Sequence, residues 1–290
     1  MKITDTYIQA NFGSLAVRTY LHNERTWSPT IILCHGFCGI RDILLPAFAE
    51  AFSHAGFNAI TFDYRGFGDS SGERGRLIPA EQIQDIDAVV NWSTTQPFVN
   101  ANQIGLWGTS LGGGHVIEVA ARSNVVKCVV SQLAFADGLS LITGDLAQGA
   151  RIALLDTLEK LYQRKVHSGK DIFVPIPKVL TDKDSTSFFE EIKELYPKVD
   201  VKIPFLTVRE IVGYAPVAAA ESVSQPVLVM AAENDIVNPP SQARRLYDAL
   251  PGQKSYHLQK DARHYDFYGS PHFETISKIQ ADWFAHHLTA

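Results

Sequence analysis

The sequence is poor in the features that mark membrane-spanning, secreted and nucleic-acid-binding proteins. No stretch approaches the roughly 20 consecutive apolar residues that a membrane-spanning helix needs, and the opening MKITDT lacks the apolar core of a signal peptide. Lysine and arginine together number 26, against 31 aspartates and glutamates, so the net charge of -5 offers no basic surplus for nucleic acid. We therefore expect a cytoplasmic protein with no membrane span and no nucleic-acid partner.

Cysteine is also scarce, with three residues in the chain: Cys34, Cys38 and Cys128. Two of them lie in apolar runs typical of buried strands, so reduced thiols packed as small apolar side chains are expected, rather than a disulfide or a metal site. Cys38 lies in a glycine-containing turn, but no neighbour in the sequence would lower the pKa of its thiol and make it a nucleophile. Apolar residues make up 46% and charged residues 20% of the chain, as in an ordinary globular protein.

One glycine-flanked serine stands out against this background. Gly108, Ser110 and Gly112 have the G-x-S-x-G spacing of a nucleophile elbow, a tight strand-to-helix turn that exposes the serine hydroxyl. Glycine is needed on both sides because neighbouring backbone leaves no room for a Cβ. The run 104–107 is typical of a buried strand, and residues 115–122 have helical apolar spacing. This context favours an elbow over an idle serine in a glycine-rich turn.

Strand-like and helix-like segments alternate through the first half of the chain. Apolar runs typical of buried strands occupy residues 30–34, 58–63, 104–107 and 125–133. Helical apolar spacing occupies residues 44–55, 79–92 and 115–122. The alternation predicts a mostly parallel sheet with helices on both faces, and the segments 4–10 and 14–21 predict a hairpin at its edge. Since His35, Asp63 and Ser110 each follow a strand, we expect them to gather along one edge of that sheet.

The alternation breaks between residues 135 and 221. Helical patterns lie near 144–165, 185–195 and 206–212, without a convincing buried strand, and sheet-like sequence resumes at 226–232. We predict an α/β core formed by residues 1–134 and 222–290, interrupted by a mostly helical lid at residues 135–221. A second independent domain is the alternative, which is less favoured because the flanking sequences look like one interrupted sheet.

A serine hydroxyl becomes an effective nucleophile when a base takes its proton and a third group orients that base. After a serine elbow, the expected chain order is serine, then an acid, then a histidine. Asp235 and His264 meet this order, and each lies in a loop past a predicted strand. Glu233 is the nearest rival for the acid, and His272 is the rival for the base.

The tetrahedral intermediate of acyl transfer carries negative charge, which preorganised backbone N–H groups stabilise. One expected donor is the amide of Leu111, directly after the serine. The second is expected from the loop after the early strand, where Phe37 is the candidate. His35, in the same loop, is expected to hold the structure by hydrogen bonds rather than to act as a base.

Several of these motifs form a recognisable set. It comprises His35-Gly36-Phe37, the loop DYRGFGDS at 63–70, Gly108-Thr109-Ser110-Leu111-Gly112-Gly113, Asp235 and His264. The set resembles the α/β-hydrolase superfamily, and within it the lidded serine esterases and acyl-peptidase-like hydrolases. The resemblance covers residues 1 to about 134 and about 222 to 290, and the predicted lid resembles nothing assignable. It implies an eight-stranded, mostly parallel sheet and the catalytic roles given above.

The expected activity is hydrolysis of a carboxylic ester, lactones included, of a fairly apolar small molecule through an acyl-enzyme, without a metal or organic cofactor. Hydrolysis of amides, peptides or thioesters and acyl transfer to an acceptor other than water require the same groups. These activities are therefore alternatives that the sequence does not separate from ester hydrolysis. A catalytically slow, receptor-like member that binds a small ligand is a further alternative. A serine at the elbow disfavours haloalkane dehalogenase and epoxide hydrolase chemistry, for which the superfamily has an aspartate there.

Overall fold

The computed structural model describes residues 1–22 and 27–289. Its strands are β1 (Lys2–Ala10), β2 (Gly13–Leu21), β3 (Ser28–Cys34), β4 (Asn58–Phe62), β5 (Val99–Thr109), β6 (Val126–Gln132), β7 (Phe173–Pro175), β8 (Lys202–Pro204), β9 (Val227–Ala232) and β10 (Lys254–Gln259). Its α-helices are α1 (Leu45–His54), α2 (Pro79–Thr94), α3 (Leu111–Ala120), α4 (Gly138–Thr143), α5 (Gln148–Ser168), α6 (Lys183–Leu195), α7 (Thr207–Val212), α8 (Pro216–Ala220), α9 (Pro240–Ala249) and α10 (Phe273–Leu288). Within the described ranges, no helix has both the length and the hydropathy needed to cross a bilayer.

Eight of the strands in these ranges form one sheet, in the order β1-β2-β4-β3-β5-β6-β9-β10. The pairs β1/β2 and β2/β4 are antiparallel, and the other neighbouring pairs are parallel. This confirms the predicted eight-stranded, mostly parallel sheet. The carboxyl ends of the parallel strands lie along one edge, so the loops that follow them meet there.

Helices cover both faces of the sheet, as predicted. Alternate residues of a strand point to opposite faces, and accordingly Ile32 belongs to one apolar cluster and Ile31 to the other. On the first face α2 and α3 contribute side chains such as Val116, and on the second face α1 and α10 contribute Phe52 and Phe284. Burial on both faces explains the continuous apolar runs of the central strands. These two layers hold the strand ends, and therefore the loops beyond them, in place.

Residues 135–221 contain α4 to α8 and the short antiparallel pair β7–β8. The helix expected at residues 144–165 corresponds to α5 (Gln148–Ser168), so its predicted start is too early, and the short helix α4 before it was not predicted. The carboxylate of Asp137 accepts a backbone amide at 2.7 Å and caps the start of α4, which ends at Thr143. The longer helix α5 begins only at Gln148. The division of the chain into a core and a lid is kept as a proposal.

Candidate active site

Ser110 occupies the turn between β5 and α3 with φ 55° and ψ -121°, a left-handed conformation that is strained for a residue with a Cβ. A Cβ at Gly108 would lie 2.2 Å from the carbonyl oxygen of Gly112. A Cβ at Gly112 would lie 2.3 Å from the carbonyl oxygen of His35. Both flanking glycines are therefore required by backbone contacts, which is the physical reason for the spacing in the sequence.

Asp235 and His264 meet although they come from different loops. Asp235 lies between β9 and α9, and His264 begins a 3-10 turn after β10. The Nδ1 atom of His264 lies 2.7 Å from Oδ2 of Asp235, and both side chains are buried. Since the carboxylate accepts, Nδ1 carries the proton, and the lone pair of Nε2 is left free to act as a base.

The rivals for these two roles are engaged elsewhere. Glu233 forms an ion pair with Lys260 at 2.5 Å, and this hydrogen bond is the main reason why the pKa of Glu233 is lowered. The ring of His272 pairs through Nδ1 with the side-chain amide of Gln259 at 3.1 Å. In the described chain the cavity beside Ser110 is lined by His264, and neither Glu233 nor His272 contributes to that lining.

Phe37 and Leu111, the expected donors to an oxyanion, both line the same cavity as Ser110. Leu111 is the first residue of α3, and an amide at that position has no acceptor within its own helix. Phe37 lies in the loop after β3. Both backbone segments lie next to the serine. Leu111 follows Ser110 in the chain, and a Cβ on Gly36, the residue before Phe37, would lie 3.0 Å from the Cβ of Ser110.

His35 holds the loop that carries Phe37. Its Nδ1 accepts the amide of Gly36 at 2.7 Å, and its Nε2 donates to the carbonyl oxygen of Ile43 at 2.8 Å. Burial lowers the pKa of His35 to about 4, so the ring is neutral near pH 7. A Cβ on Gly39 would lie 1.7 Å from this ring, so glycine is needed there. These contacts agree with the structural role expected for His35.

Asp63 lies at the expected edge of the sheet but supports a loop instead of lining the cavity. Its carboxylate accepts the backbone amides of Arg41 at 2.7 Å and Asp69 at 2.9 Å. Burial raises the pKa of Asp63. Asp69 in turn contacts Arg41 at 3.2 Å and Lys198 at 2.6 Å. The DYRGFGDS loop therefore takes part in a network of hydrogen bonds and ion pairs that joins the sheet edge to the segment 135–221.

A cavity of about 440 Å³ lies beside Ser110 and His264, within the range typical of small-molecule sites. Its lining from residues 135–211 is largely apolar and includes Phe135, Leu141, Leu154, Leu180, Phe188 and Phe205. The ring of Phe188 on α6 stacks on Tyr265, the neighbour of His264, with ring centroids 4.3 Å apart. The arrangement can enclose an apolar group next to a serine, a histidine and two backbone donors.

Two polar residues of this cavity were missed by the sequence reasoning. Asn238, from the loop before α9, places Nδ2 3.3 Å from Oγ of Ser110. The hydroxyl of Tyr268 lies 2.5 Å from Oγ1 of Thr109, next to the serine. A polar side chain in the loop just past β9 is the signal that could have singled out Asn238.

The three cysteines are buried and reduced, as expected. Burial raises the pKa of each thiol, which makes Cys38 a poor nucleophile. In residues 1–22 and 27–289 no group of three or more histidine, cysteine, aspartate or glutamate side chains is arranged to hold a metal ion.

Several known proteins are similar to this chain in sequence or in structure. A family model described as "alpha/beta hydrolase fold" matches residues 29–271. An uncharacterized 31.7 kDa protein from the traX-finO intergenic region of Escherichia coli is 51% identical over 99% of this chain and 100% of its own length. The quorum-quenching protein AidA of Acinetobacter baumannii is 27% identical over 95% of this chain and 93% of its own. The structure of DcsB in complex with its substrate analogue has a TM-score of 0.86 at 20% identity and covers 100% of both chains.

Proposed function

The chain belongs to the α/β-hydrolase fold family, and from that membership we propose that it is a serine hydrolase of carboxylic esters. Its substrates are fairly apolar small molecules, lactones included, and the reaction passes through an acyl-enzyme. The observation that carries the proposal is the buried pair of His264 and Asp235, 2.7 Å apart, with His264 lining the same cavity as Ser110. These three side chains supply a nucleophile, a base and an acid that orients the base.

In the proposed reaction, Oγ of Ser110 attacks the ester carbonyl while Nε2 of His264 takes the hydroxyl proton. The amides of Phe37 and Leu111 stabilise the oxyanion, each by on the order of 100- to 1000-fold in rate. His264 then gives its proton to the departing alcohol. A water attacks the acyl-enzyme with His264 as base, and the acid leaves as the proton returns to Ser110. Asp235 holds the tautomer and orientation of His264 throughout.

The apolar cavity favours a substrate with an apolar acyl or alcohol group, because burial of apolar surface contributes about 25 cal/mol of binding free energy per Å². Phe188 and Phe205 are examples of the side chains that would surround it. In this proposal, residues 135–221 form a lid that excludes water from the reacting bond and strengthens the electrostatic interactions in the site.

A fluorophosphonate probe tests this proposal, since it forms a covalent bond only with an activated serine. We expect the folded protein to be labelled at Ser110, Ser110→Ala to stay unlabelled, and Ser168→Ala, at the exposed end of α5, to be labelled like the parent. A folded parent protein that resists labelling would refute the proposal and favour a ligand-binding protein. A panel of esters, lactones, thioesters and amides then ranks the substrate classes by kcat/KM.

A further inference from the structure

Asn238 lies in the loop between Asp235 and α9, and its side chain is almost wholly buried, with 5% exposed. Its backbone amide donates to Oδ1 of Asp235 at 2.8 Å. The same carboxylate thus holds His264 with one oxygen and the backbone of Asn238 with the other. The position of Asn238 is therefore tied to the position of the candidate acid and base.

The orientation of the Asn238 amide follows from its partners. The side-chain atom that faces the carbonyl oxygen of Leu133 lies 2.7 Å from it. A carbonyl oxygen only accepts, so this atom is the nitrogen Nδ2. Leu133 adopts φ 53°, a conformation that is uncommon outside glycine. The residue directly after β6 thus adopts an unusual backbone conformation, and its carbonyl oxygen accepts a hydrogen bond from the Asn238 amide.

An amide nitrogen has two hydrogens, and the Leu133 carbonyl uses one of them. The same nitrogen lies 3.3 Å from Oγ of Ser110, within reach for the second. Such hydrogen bonds are often long in unliganded sites and shorten when the substrate is bound. A donor on one lone pair of Oγ leaves the hydroxyl's own hydrogen free to point to a base.

We propose that Asn238 is a catalytic residue, which donates a hydrogen bond from Nδ2 to Oγ of Ser110 as negative charge develops there. This inference rests on the proposed serine hydrolase function. Charge develops on Oγ twice: when His264 removes its proton during attack, and when Oγ departs from the second tetrahedral intermediate before it is reprotonated. The ester oxygen of the acyl-enzyme is a weak acceptor, so the bond is stronger in the transition states and raises kcat.

The test compares Asn238→Ala and Asn238→Asp with the parent on p-nitrophenyl acetate. Alanine removes the donor, and aspartate keeps the shape but cannot donate when it is ionised. Each preparation is titrated with a fluorophosphonate to saturation, which gives the concentration of reactive Ser110. Expressed per reactive Ser110, kcat is not lowered by protein that has failed to fold. We expect kcat per site to fall about 10- to 100-fold in both variants, with KM within about threefold of the parent.

Asn234→Ala is the matched control, because Asn234 lies in the same loop with an exposed side chain. It should keep the kcat per site of the parent. A kcat per site within about twofold of the parent in either Asn238 variant would overturn the role of Asn238 while leaving the serine hydrolase intact. A parent protein that neither turns over esters nor reacts with the probe would instead remove the proposed function itself.

Discussion

The carboxylate of Asp235 lies 2.7 Å from Nδ1 of His264 and is itself held by backbone amides. Its second oxygen accepts the amides of Val237 and Asn238, each at 2.8 Å. A carboxylate held from both sides cannot rotate without breaking hydrogen bonds in a buried place, where each unmade bond is costly. The imidazole is therefore fixed in the tautomer that keeps the Nε2 lone pair free.

Asp235→Asn tests that relationship. The amide can present its NH₂ group to Nδ1, which favours the wrong tautomer, and we expect kcat for p-nitrophenyl acetate to fall about 10³- to 10⁴-fold. Glu233→Gln is the matched control, since it removes a carboxylate that pairs with Lys260 at the surface. The control should stay within about twofold of the parent. Comparable losses in the two variants would contradict the assignment of Asp235.

The choice of base is tested by two histidine substitutions measured side by side. His264→Ala removes the group that lines the cavity, so we expect turnover of p-nitrophenyl acetate to be lost. His272→Ala removes a ring that pairs with Gln259, and near-normal turnover is expected. Steady-state kinetics on both folded variants decides between them. Near-normal rates in His264→Ala would move the role of base to His272.

The sheet and the serine turn were predictable because short-range rules determine them. Buried parallel strands need continuous apolar runs, and the turn at Ser110 needs glycine because a Cβ at Gly108 would come within 2.2 Å of a backbone oxygen. Parallel strands also end at one edge, which is why residues after strands were good candidates. The same reasoning led to Asp235 and His264, which the structure brings within 2.7 Å of each other.

The contacts that sequence reasoning missed depend on long-range packing. Asn238 reaches the Leu133 carbonyl across 105 positions of the chain, and no local pattern reveals such a pair. The cavity wall depends on how helices of residues 135–221 pack over the sheet edge, which their apolar spacing does not define. The short helix α4 was not predicted, and the start of α5 was placed at Gly144 instead of Gln148.

Gly112→Ala is expected to damage both stability and activity. The new Cβ would lie 2.3 Å from the His35 carbonyl oxygen, so the loop that carries Phe37 would have to move, at a cost of about 1–3 kcal/mol. Urea denaturation and ester kinetics measure the two effects. Gly149→Ala is the control, since a Cβ there meets no atom within 4 Å and alanine favours a helix. Unchanged stability and activity in Gly112→Ala would contradict the packing of this turn.

His115 should make stability depend on pH. The ring is buried between Tyr214 at 2.9 Å and Gln82 at 3.0 Å, and burial lowers its pKa from 6.5 to about 3. Between these values the unfolded chain binds the proton and the folded protein does not. The contribution of neutral His115 to the free energy of unfolding is therefore fully present above about pH 6.5, and it is lost as the pH falls toward the pKa of His115 in the folded protein.

Removal of this histidine should weaken the pH dependence. In His115→Gln, the free energy of unfolding should fall by about 2 kcal/mol less than in the parent between pH 7 and pH 5. Asp85, whose pKa burial raises to about 7, has the opposite effect but is common to both proteins. Urea denaturation at the two pH values measures the difference. His167→Gln, at an exposed position, should keep the parent's pH dependence, and an equal dependence in His115→Gln would contradict the prediction.

Phe188 should determine how well an apolar substrate binds, if residues 135–221 act as a lid over the site. Its ring lines the cavity and stacks on Tyr265, with 4.3 Å between the ring centroids and 15° between their planes. The hydroxyl of Tyr265 is bonded to Oγ of Ser185 on the same helix at 3.1 Å. One helix of the predicted lid therefore contacts both the cavity and the neighbour of His264.

Phe188→Ala removes this apolar wall while leaving the serine, histidine and aspartate in place. An octanoyl chain would lose apolar contact that an acetyl group never makes, so KM for p-nitrophenyl octanoate should rise about 10-fold. KM for p-nitrophenyl acetate should change by less than about twofold, because the small acyl group lies next to Ser110. Val166→Ala, which truncates a side chain that is 60% exposed on α5, should alter neither value. Equal increases for the two esters would show that Phe188 supports the site in general and does not contact the acyl chain.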